Sequence, residues 1–423
     1  MYATASDGWR RSWNGPPRSV RGGSFDAPVH VTYITHYPEL YGANRSLLDL
    51  MGELRRRGEV EPHVLLPREG GLIDALDREG IPWRVMPFQP WMSERHYEGG
   101  PHHRLRQWWR HERAARARSR ANRALMPALV DQVKAWGTQL LHANSSVAGI
   151  AIDLKDEVSA PLVWHIRELP ERQYLLHLDR GRAAYGRALR EADGLIAISE
   201  AVKADLLTYT KPHRPVPVIY NGVLRKSRYT ELLALSAARW VDPTPFTFAL
   251  VGLIHPSKGH LEALEALAIL RKEGRDVRMV FAGDGRDKEV RERIAALGLT
   301  DVVELAGFVK DPYSVFLRVH ALLMCSRNEA MGRVTVEGMA SGLPVIGHDS
   351  GGTPELITDG GNGLLYPGGA EELAERMRRL VMAPERARIL GDQAAHMAAE
   401  RFSVERYADE VLAVYRSVLS ARR

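Results

Sequence analysis

Residues 326–357 read SRNEAMGRVTVEGMASGLPVIGHDSGGTPELI, and two glutamates, Glu329 and Glu337, stand in this glycine-rich stretch. The apolar run Ala321–Met324 precedes it and Pro344–Gly347 lies within it. Glu329 therefore falls in a loop after a buried strand, and Glu337, eight residues later, in a short helix. Gly332 beside the helix start leaves backbone N–H groups free to face an anionic or hydroxyl-rich ligand. A carboxylate there can accept two hydrogen bonds from vicinal hydroxyls, as a ribose or a hexose offers them. Spacing alone reads more readily as two surface glutamates on a short helix, so the pair needs the rest of the chain to interpret it.

Working outward, short apolar runs alternate with longer amphipathic stretches. Val29–Thr35 is a first strand, followed by a glycine-containing loop and a helix from about Asn44 to Arg57. Val64–Pro67, Trp83–Pro87, Leu140–Ala143, Leu162–Ile166, Leu195–Ile198 and Val216–Tyr220 repeat the strand signal. A second series follows the polar stretch Asp242-Pro243-Thr244-Pro245. Its strands are Thr247–Leu253, Val277–Ala282, Val302–Leu305, Ala321–Met324 and Pro344–Gly347, with helices starting near Lys258, Arg286, Arg333 and Thr353. Strands alternating with helices indicate parallel sheets covered on both faces, so the fold class is α/β with two doubly wound units. Ligands of such sheets bind beyond the carboxyl ends of the strands.

The 423 residues exceed what one hydrophobic core serves, in keeping with two units. No run matches the about 20 apolar residues that cross a bilayer. Residues 1–28 carry Arg, Gly, Pro and Ser without an apolar segment, and are expected to be a disordered tail and no secretory signal. The single cysteine, Cys325, excludes an internal disulfide framework and a cysteine-rich metal site, and a cytoplasmic protein is expected. Net charge is +6, and its location matters more than its size. Residues 101–125, PHHRLRQWWRHERAARARSRANRAL, hold eight Arg and one Glu, while the rest of the chain has 50 basic and 51 acidic residues.

The block from Glu329 to Glu337, continued through His348-Asp-Ser-Gly-Gly-Thr-Pro-Glu355, resembles the paired-glutamate signature of family 4 retaining glycosyltransferases with the GT-B fold. Other segments fall in the family order. Tyr41-Gly42-Ala43-Asn44 is similar to its glycine-rich loop, and Val163-Trp164-His165-Ile166-Arg167-Glu168 to its active-site histidine segment. Ile198-Ser199-Glu200 and Val218-Ile219-Tyr220-Asn221-Gly222 resemble the end of its first domain. Val251-Gly252 through Lys258-Gly259-His260 resembles the phosphate-binding entry to the second. Ala282-Gly283-Asp284-Gly285 and Gly307-Phe308-Val309 complete the set.

The resemblance implies an acceptor-binding Rossmann-like domain over 29–222, a linker over 223–246 and a nucleotide-sugar domain over 247–401. It also implies that the helix in 402–423 crosses back to the first domain. Glu337 is expected to hold the nucleotide ribose, Glu329 to lie against the donor sugar and its phosphate, and Lys258 to neutralise the diphosphate. Main chain at Met331, Gly332, Arg333 and Val334 is expected against the sugar or diphosphate, Gly42 and Gly252 near the phosphates, and Val309 at the base. His165 is expected at a sugar hydroxyl near the reaction centre; a buried structural histidine is its rival. The catalytic set is then His165, Glu329 and Lys258. No metal and no cofactor beyond the nucleotide-sugar co-substrate is expected. Three positions depart from the family: Leu253 replaces the arginine that accompanies the lysine, Met331 a phenylalanine and Leu224 an aspartate. Arg333 is the candidate for the missing phosphate-binding cation.

The basic stretch places Arg106, Arg110 and Arg113 near one helical face beside Trp108 and Trp109, with Trp91 and Tyr97 ahead of it. It reads as a peripheral contact with an anionic membrane, where lipid-linked acceptors would lie, as a site for an anionic acceptor such as a phosphorylated or acidic glycan, or as a solvated helix face. Nucleic acid shares this footprint but is not the expected partner. The resulting reading is a transferase of glycan, polysaccharide or glycolipid biosynthesis. Its rivals are a sugar-nucleotide epimerase or hydrolase of the same shape, and a non-catalytic sugar-nucleotide or polyanion binder. A dinucleotide fingerprint is incomplete, since Gly283-Asp284-Gly285 lacks the third glycine.

Overall fold

The computed structural model describes residues 27–95 and 99–421, so the tail expected over 1–28 and Tyr97 lie almost entirely outside the described residues. Eight strands belong to the first half: β1 (Val29–Ile34), β2 (Val60–Leu66), β3 (Trp83–Val85), β4 (Met92–Glu94), β5 (Leu140–Ala143), β6 (Leu162–Ile166), β7 (Leu176–Leu178) and β8 (Gly194–Ala197). Six of them form a parallel sheet in the order β3-β2-β1-β5-β6-β8, and β4 pairs antiparallel with β7. The second half adds β9 (Phe246–Val251), β10 (Val277–Ala282), β11 (Val303–Gly307), β12 (Ala321–Met324), β13 (Val345–His348) and β14 (Gly363–Tyr366). They form a parallel sheet ordered β11-β10-β9-β12-β13-β14. Both orders are the doubly wound 3-2-1-4-5-6 arrangement. Each has one switch point, between β1 and β5 and between β9 and β12, where a crevice opens.

The central strands are continuous apolar runs because helices cover both faces. The flanking helices follow 3.6-residue periodicity. In helix Gly42–Arg56 the buried stripe is Leu47, Leu50, Met51 and Leu54, with Arg55 and Arg56 placed where the helix dipole favours cations. Helix Val404–Ser420 buries Tyr407, Ala408, Val411, Leu412, Tyr415 and Val418 in the same core as β1 and helix Gly42–Arg56. Ser403 caps it, its hydroxyl accepting from the Arg406 N–H at 3.3 Å. This helix thus lies on the first sheet although the chain reaches it from the second.

Several elements differ from the sequence reading, which has no counterpart of the short pair β4 and β7. Val216–Tyr220 is no strand, and Val218 makes an isolated bridge to Ala197: Pro215 and Pro217 lack the N–H groups a ladder needs. Gly363–Tyr366 is an additional edge strand. The stretch 223–246 contains helix Lys226–Ser236, which buries Tyr229 and Leu232 and joins Phe402 through the Tyr229 hydroxyl, a donor to its carbonyl at 2.9 Å. The basic stretch is part of one helix, Pro101–Ala135, that runs through Pro127. Among the described residues no helix is long and apolar enough to cross a membrane.

The two halves meet at several points. Glu355 accepts hydrogen bonds from the Glu200 and Ala201 N–H groups, each 2.8 Å, and from the Tyr220 hydroxyl at 2.8 Å. A carboxylate of the second half thereby satisfies the first turn of helix Glu200–Leu206 in the first.

Candidate active site

At the β9/β12 switch point the loop after β9 carries Lys258 and the loop after β12 carries Glu329. Lys258 ends a 3₁₀ turn, Pro256–Lys258, whose entry His255 caps by accepting from the Ser257 N–H at 3.2 Å. Gly259 follows at φ +75°, and a Cβ there would lie 2.5 Å from that of Cys325, so only glycine lets this loop close on β12. Lys258 Nζ donates to Glu329 Oε2 at 2.7 Å, and Gln173 Nε2 of the first half donates to Oε1 at 3.1 Å. Burial raises the Glu329 carboxyl, but the Lys258 charge and its hydrogen bond outweigh it, and the group titrates below the usual carboxylate range.

Gly332, at φ +79°, opens helix Arg333–Ala340. Glu337 on that helix is fully buried. Its Oε1 accepts from Arg333 Nε at 2.9 Å and lies 3.0 Å from Arg45 Nη2, while Oε2 has no hydrogen-bond partner among the described residues. Val334 is half-buried, and the buried Met331 turns its sulfur to the Asn221 N–H at 3.3 Å.

Arg333 departs from its expected role. Its side chain is 8% exposed, and Nη1 reaches Asp49 Oδ2 and the Ser46 hydroxyl, both at 2.9 Å. Nη2 donates to the Val223 carbonyl at 3.0 Å. The guanidinium lies between Asp49 and Glu337, joining helix Arg333–Ala340 to helix Gly42–Arg56, and does not stand free for a phosphate. Burial disfavours its charge, but the two carboxylates hold its pKa above the ordinary value. Burial conversely raises Asp49, and Arg333 offsets part of that. Gly42 lies at this contact, with room for a Cβ 3.9 Å from that of Arg333. Gly252 adopts φ +152° in open space, and Phe308, beside the half-buried Val309, is 72% exposed.

His165 is fully buried on β6 and not open to the cleft. Its Nδ1 lies 3.3 Å from Arg167 Nη2, and its Nε2 has no hydrogen-bond partner among the described residues. Burial, then the Arg167 charge, holds it well below the usual imidazole range, so it is neutral. The sequence reading passed over Arg167, which is 4% exposed and gathers the first half's crevice. It donates to Asn144 Oδ1 at 2.7 Å, Asn221 Oδ1 at 2.5 Å and the Tyr407 hydroxyl at 2.7 Å. An Arg-Glu pair right after an apolar strand is the signal that marks it. The neighbouring Glu168 accepts from the Ser146 N–H at 3.0 Å and hydroxyl at 2.8 Å.

Helix Pro101–Ala135 turns Arg106, Arg110 and Arg113 outward, with Trp108 and Trp109 exposed by 40% and 51%. Its inner face is pinned by Arg118, which grips both oxygens of Asp179 at 2.6 and 2.7 Å, and by Asn122, which pairs with the Gln89 backbone at 2.6 and 2.8 Å.

Two family models match the chain: Glycosyltransferase Family 4 over residues 41–224 and Glycosyl transferases group 1 over 237–397. A D-inositol 3-phosphate glycosyltransferase of Segniliparus rotundus is 30% identical over 305 residues, 68% of each protein. An alpha-D-kanosaminyltransferase of Streptomyces kanamyceticus is 33% identical over 172 residues, and the match spans 45% of that relative's length. Anabaena HepE, solved with UDP and glucose, superposes with a TM-score of 0.72 at 23% identity over 92% of this chain and 100% of that one. A sucrose-phosphate synthase of Thermosynechococcus elongatus gives 0.69 at 19% identity over 93% and 100%. With both halves matched in order and both sheets wound alike, the chain belongs to the family 4 glycosyltransferases and has the GT-B fold.

Proposed function

We propose that this family member moves a sugar from a nucleoside-diphosphate sugar to an acceptor hydroxyl, retaining anomeric configuration and using no metal or other cofactor. The observation that carries the reading is the Lys258–Glu329 pair at the switch point, next to the start of helix Arg333–Ala340. When the diphosphate departs, negative charge grows on its oxygens. A lysine and free helix N–H groups held in place stabilise it without reorganisation. Glu329 orients Lys258 and lies where a sugar hydroxyl can donate to it. Glu337 keeps an unpartnered Oε2 for a ribose hydroxyl, and the exposed Phe308 offers a face for a base beside Val309. In this scheme the first half supplies the acceptor side. His165 acts there through Arg167 and not by touching substrate, which its burial argues against.

The test is a panel of nucleotide sugars with candidate glycan and lipid-linked acceptors, following release of nucleoside diphosphate and the anomer of the product. Acceptor-dependent release, unchanged by EDTA, with a retained anomer is expected. Free sugar or an epimer without acceptor points to the hydrolase or epimerase, binding without turnover to a passive binder, and loss with EDTA contradicts metal independence.

The outward Arg106, Arg110 and Arg113, flanked by Trp108 and Trp109, support a peripheral contact with an anionic bilayer on its cytoplasmic face. Each basic residue contributes about 1 kcal/mol there, with tryptophans at the interface. The chain is expected to float with vesicles containing anionic lipid and not with neutral ones, and Arg106→Glu/Arg110→Glu/Arg113→Glu to stay at the bottom of the gradient. Equal flotation of the triple variant would rule the contact out.

A further inference from the structure

We propose that Gln173, on the loop between β6 and β7, is a positioning residue for sugar transfer, an assignment that rests on the transferase reading above. When the two halves of the chain are shut, it sets the Glu329 carboxylate and, through it, the Lys258 ammonium. Glu329 divides its oxygens between the halves: Oε2 accepts from Lys258 at 2.7 Å and Oε1 from Gln173 Nε2 at 3.1 Å. Each oxygen keeps a second lone pair for a sugar hydroxyl. Gln173 touches no substrate in this scheme, and its effect passes through the two groups of the second half.

Both ends of this contact are anchored. On the first half, Glu171 pins the loop two residues before Gln173. Its Oε1 accepts from Arg95 Nη2 at 2.8 Å, and its Oε2 from the Tyr209 hydroxyl at 2.9 Å and from Arg182. The Gln173 N–H donates to the Leu169 carbonyl at 2.8 Å, and β7 begins at Leu176, where it pairs with β4. Between these anchors Leu175 holds left-handed backbone at φ +50° while 61% exposed. A non-glycine residue persists in that region where its surroundings impose it, most often at functional sites. On the second half, the Glu329 carbonyl accepts from the Gly352 N–H at 2.7 Å, and a Cβ on Gly351 would lie 2.4 Å from that carbonyl oxygen. With both backbones fixed, the bond from Gln173 to Glu329 forms at one separation of the halves.

The chemistry of the amide points the same way. Burial raises the Glu329 carboxyl, but the Lys258 charge leads a set of groups, Gln173 among them, that hold it below the usual range. The carboxylate is therefore ionised, and the end of the amide that faces it is the donor end. The other end, Gln173 Oε1, is buried with no hydrogen-bond partner among the described residues. Leaving a buried carbonyl oxygen unpaired costs stability. A loop shaped for stability alone would not put the amide here, and its reach to Glu329 accounts for the placement. A shift of the amide turns the carboxylate, and the ammonium 2.7 Å beyond turns with it. Small misplacements of that kind lower rate more than affinity.

The test compares Gln173→Met and Gln173→Glu with the unmodified full chain, using the donor and acceptor that turn over in the panel above. Methionine keeps the length of the side chain but donates nothing. Its kcat is expected to fall about tenfold, the worth of a hydrogen bond to a charged group. Donor KM stays within about twofold, because the donor's own contacts are intact. Gln173→Glu supplies a readout that a merely structural role would not move. Burial and the ionised Glu329 hold a carboxyl placed there above its usual range. Protonated, that carboxyl donates to Glu329 as the amide does; ionised, it repels it. Relative to the unmodified chain at the same pH, kcat is expected to be nearly equal at about pH 5.5 and about tenfold lower at about pH 8. A kcat for Gln173→Met within about twofold of the unmodified chain overturns the proposal, as does a Gln173→Glu ratio that does not change with pH. Turnover that ignores residue 173 sinks this assignment alone, whereas no turnover by any donor and acceptor sinks the transferase reading with it.

Discussion

Lys258→Ala is expected to lower turnover by about 10²–10³-fold, the usual effect of removing one preorganised donor to a developing oxyanion. Its ammonium is the cation nearest Glu329, at 2.7 Å, and with Leu253 in the neighbouring position the loop has no arginine to share the task. The substitution also leaves Glu329 buried with Gln173 as its remaining side-chain donor across the cleft, so part of any loss could be structural. Lys258→Ala/Glu329→Gln separates the two effects. The double variant removes the unpaired charge and is expected to recover the unfolding midpoint lost in Lys258→Ala while turnover stays low. Recovery of turnover together with stability would show that Lys258 serves to neutralise Glu329 and nothing more.

How much of this was legible in the sequence depends on how far apart the partners lie. The strand–loop–helix pattern, the helix at Arg333 and the order of the loops follow from local apolar periodicity and glycine placement, and the family resemblance fixed which loops face the cleft. Local patterns also misled. Val216–Tyr220 is β-branched enough to read as a strand, but its prolines remove the ladder donors. The basic helix runs on through Pro127, because Leu129 and Val133 are buried beyond it and packing carries it through. What the chain could not disclose locally is pairing. Nothing around Arg333 announces Asp49, and nothing around His165 announces Tyr407, 242 residues away, as a group that encloses it. A cation read from its own loop looked like a phosphate ligand; its partners on the other half make it a bridge.

Arg333→Ala is accordingly expected to cost about 3 kcal/mol of unfolding free energy, because it takes a guanidinium from the fully buried Glu337 and from the one-third-exposed Asp49. Asp49 loses its ion pair, and Glu337 keeps Arg45 alone, at 3.0 Å. Denaturant unfolding measures this directly. Arg333→Lys is expected to restore little, since one ammonium cannot serve Asp49, Glu337, Ser46 and the Val223 carbonyl together. Donor binding discriminates the bridge from a phosphate ligand. Arg333 Nε and Arg45 both occupy Glu337 Oε1, the group proposed for the ribose, so a bound nucleotide competes with them there. Removing Arg333 frees part of that carboxylate, and UDP affinity in Arg333→Ala should fall by less than about threefold or rise, within about 0.7 kcal/mol of the unmodified chain. A phosphate-binding arginine gives the opposite pattern: unfolding nearly unchanged and UDP affinity down by about tenfold or more, the worth of a charge-assisted bond. That pattern would return Arg333 to the role vacated at Leu253 and make its pairing with Asp49 a resting contact that the donor displaces.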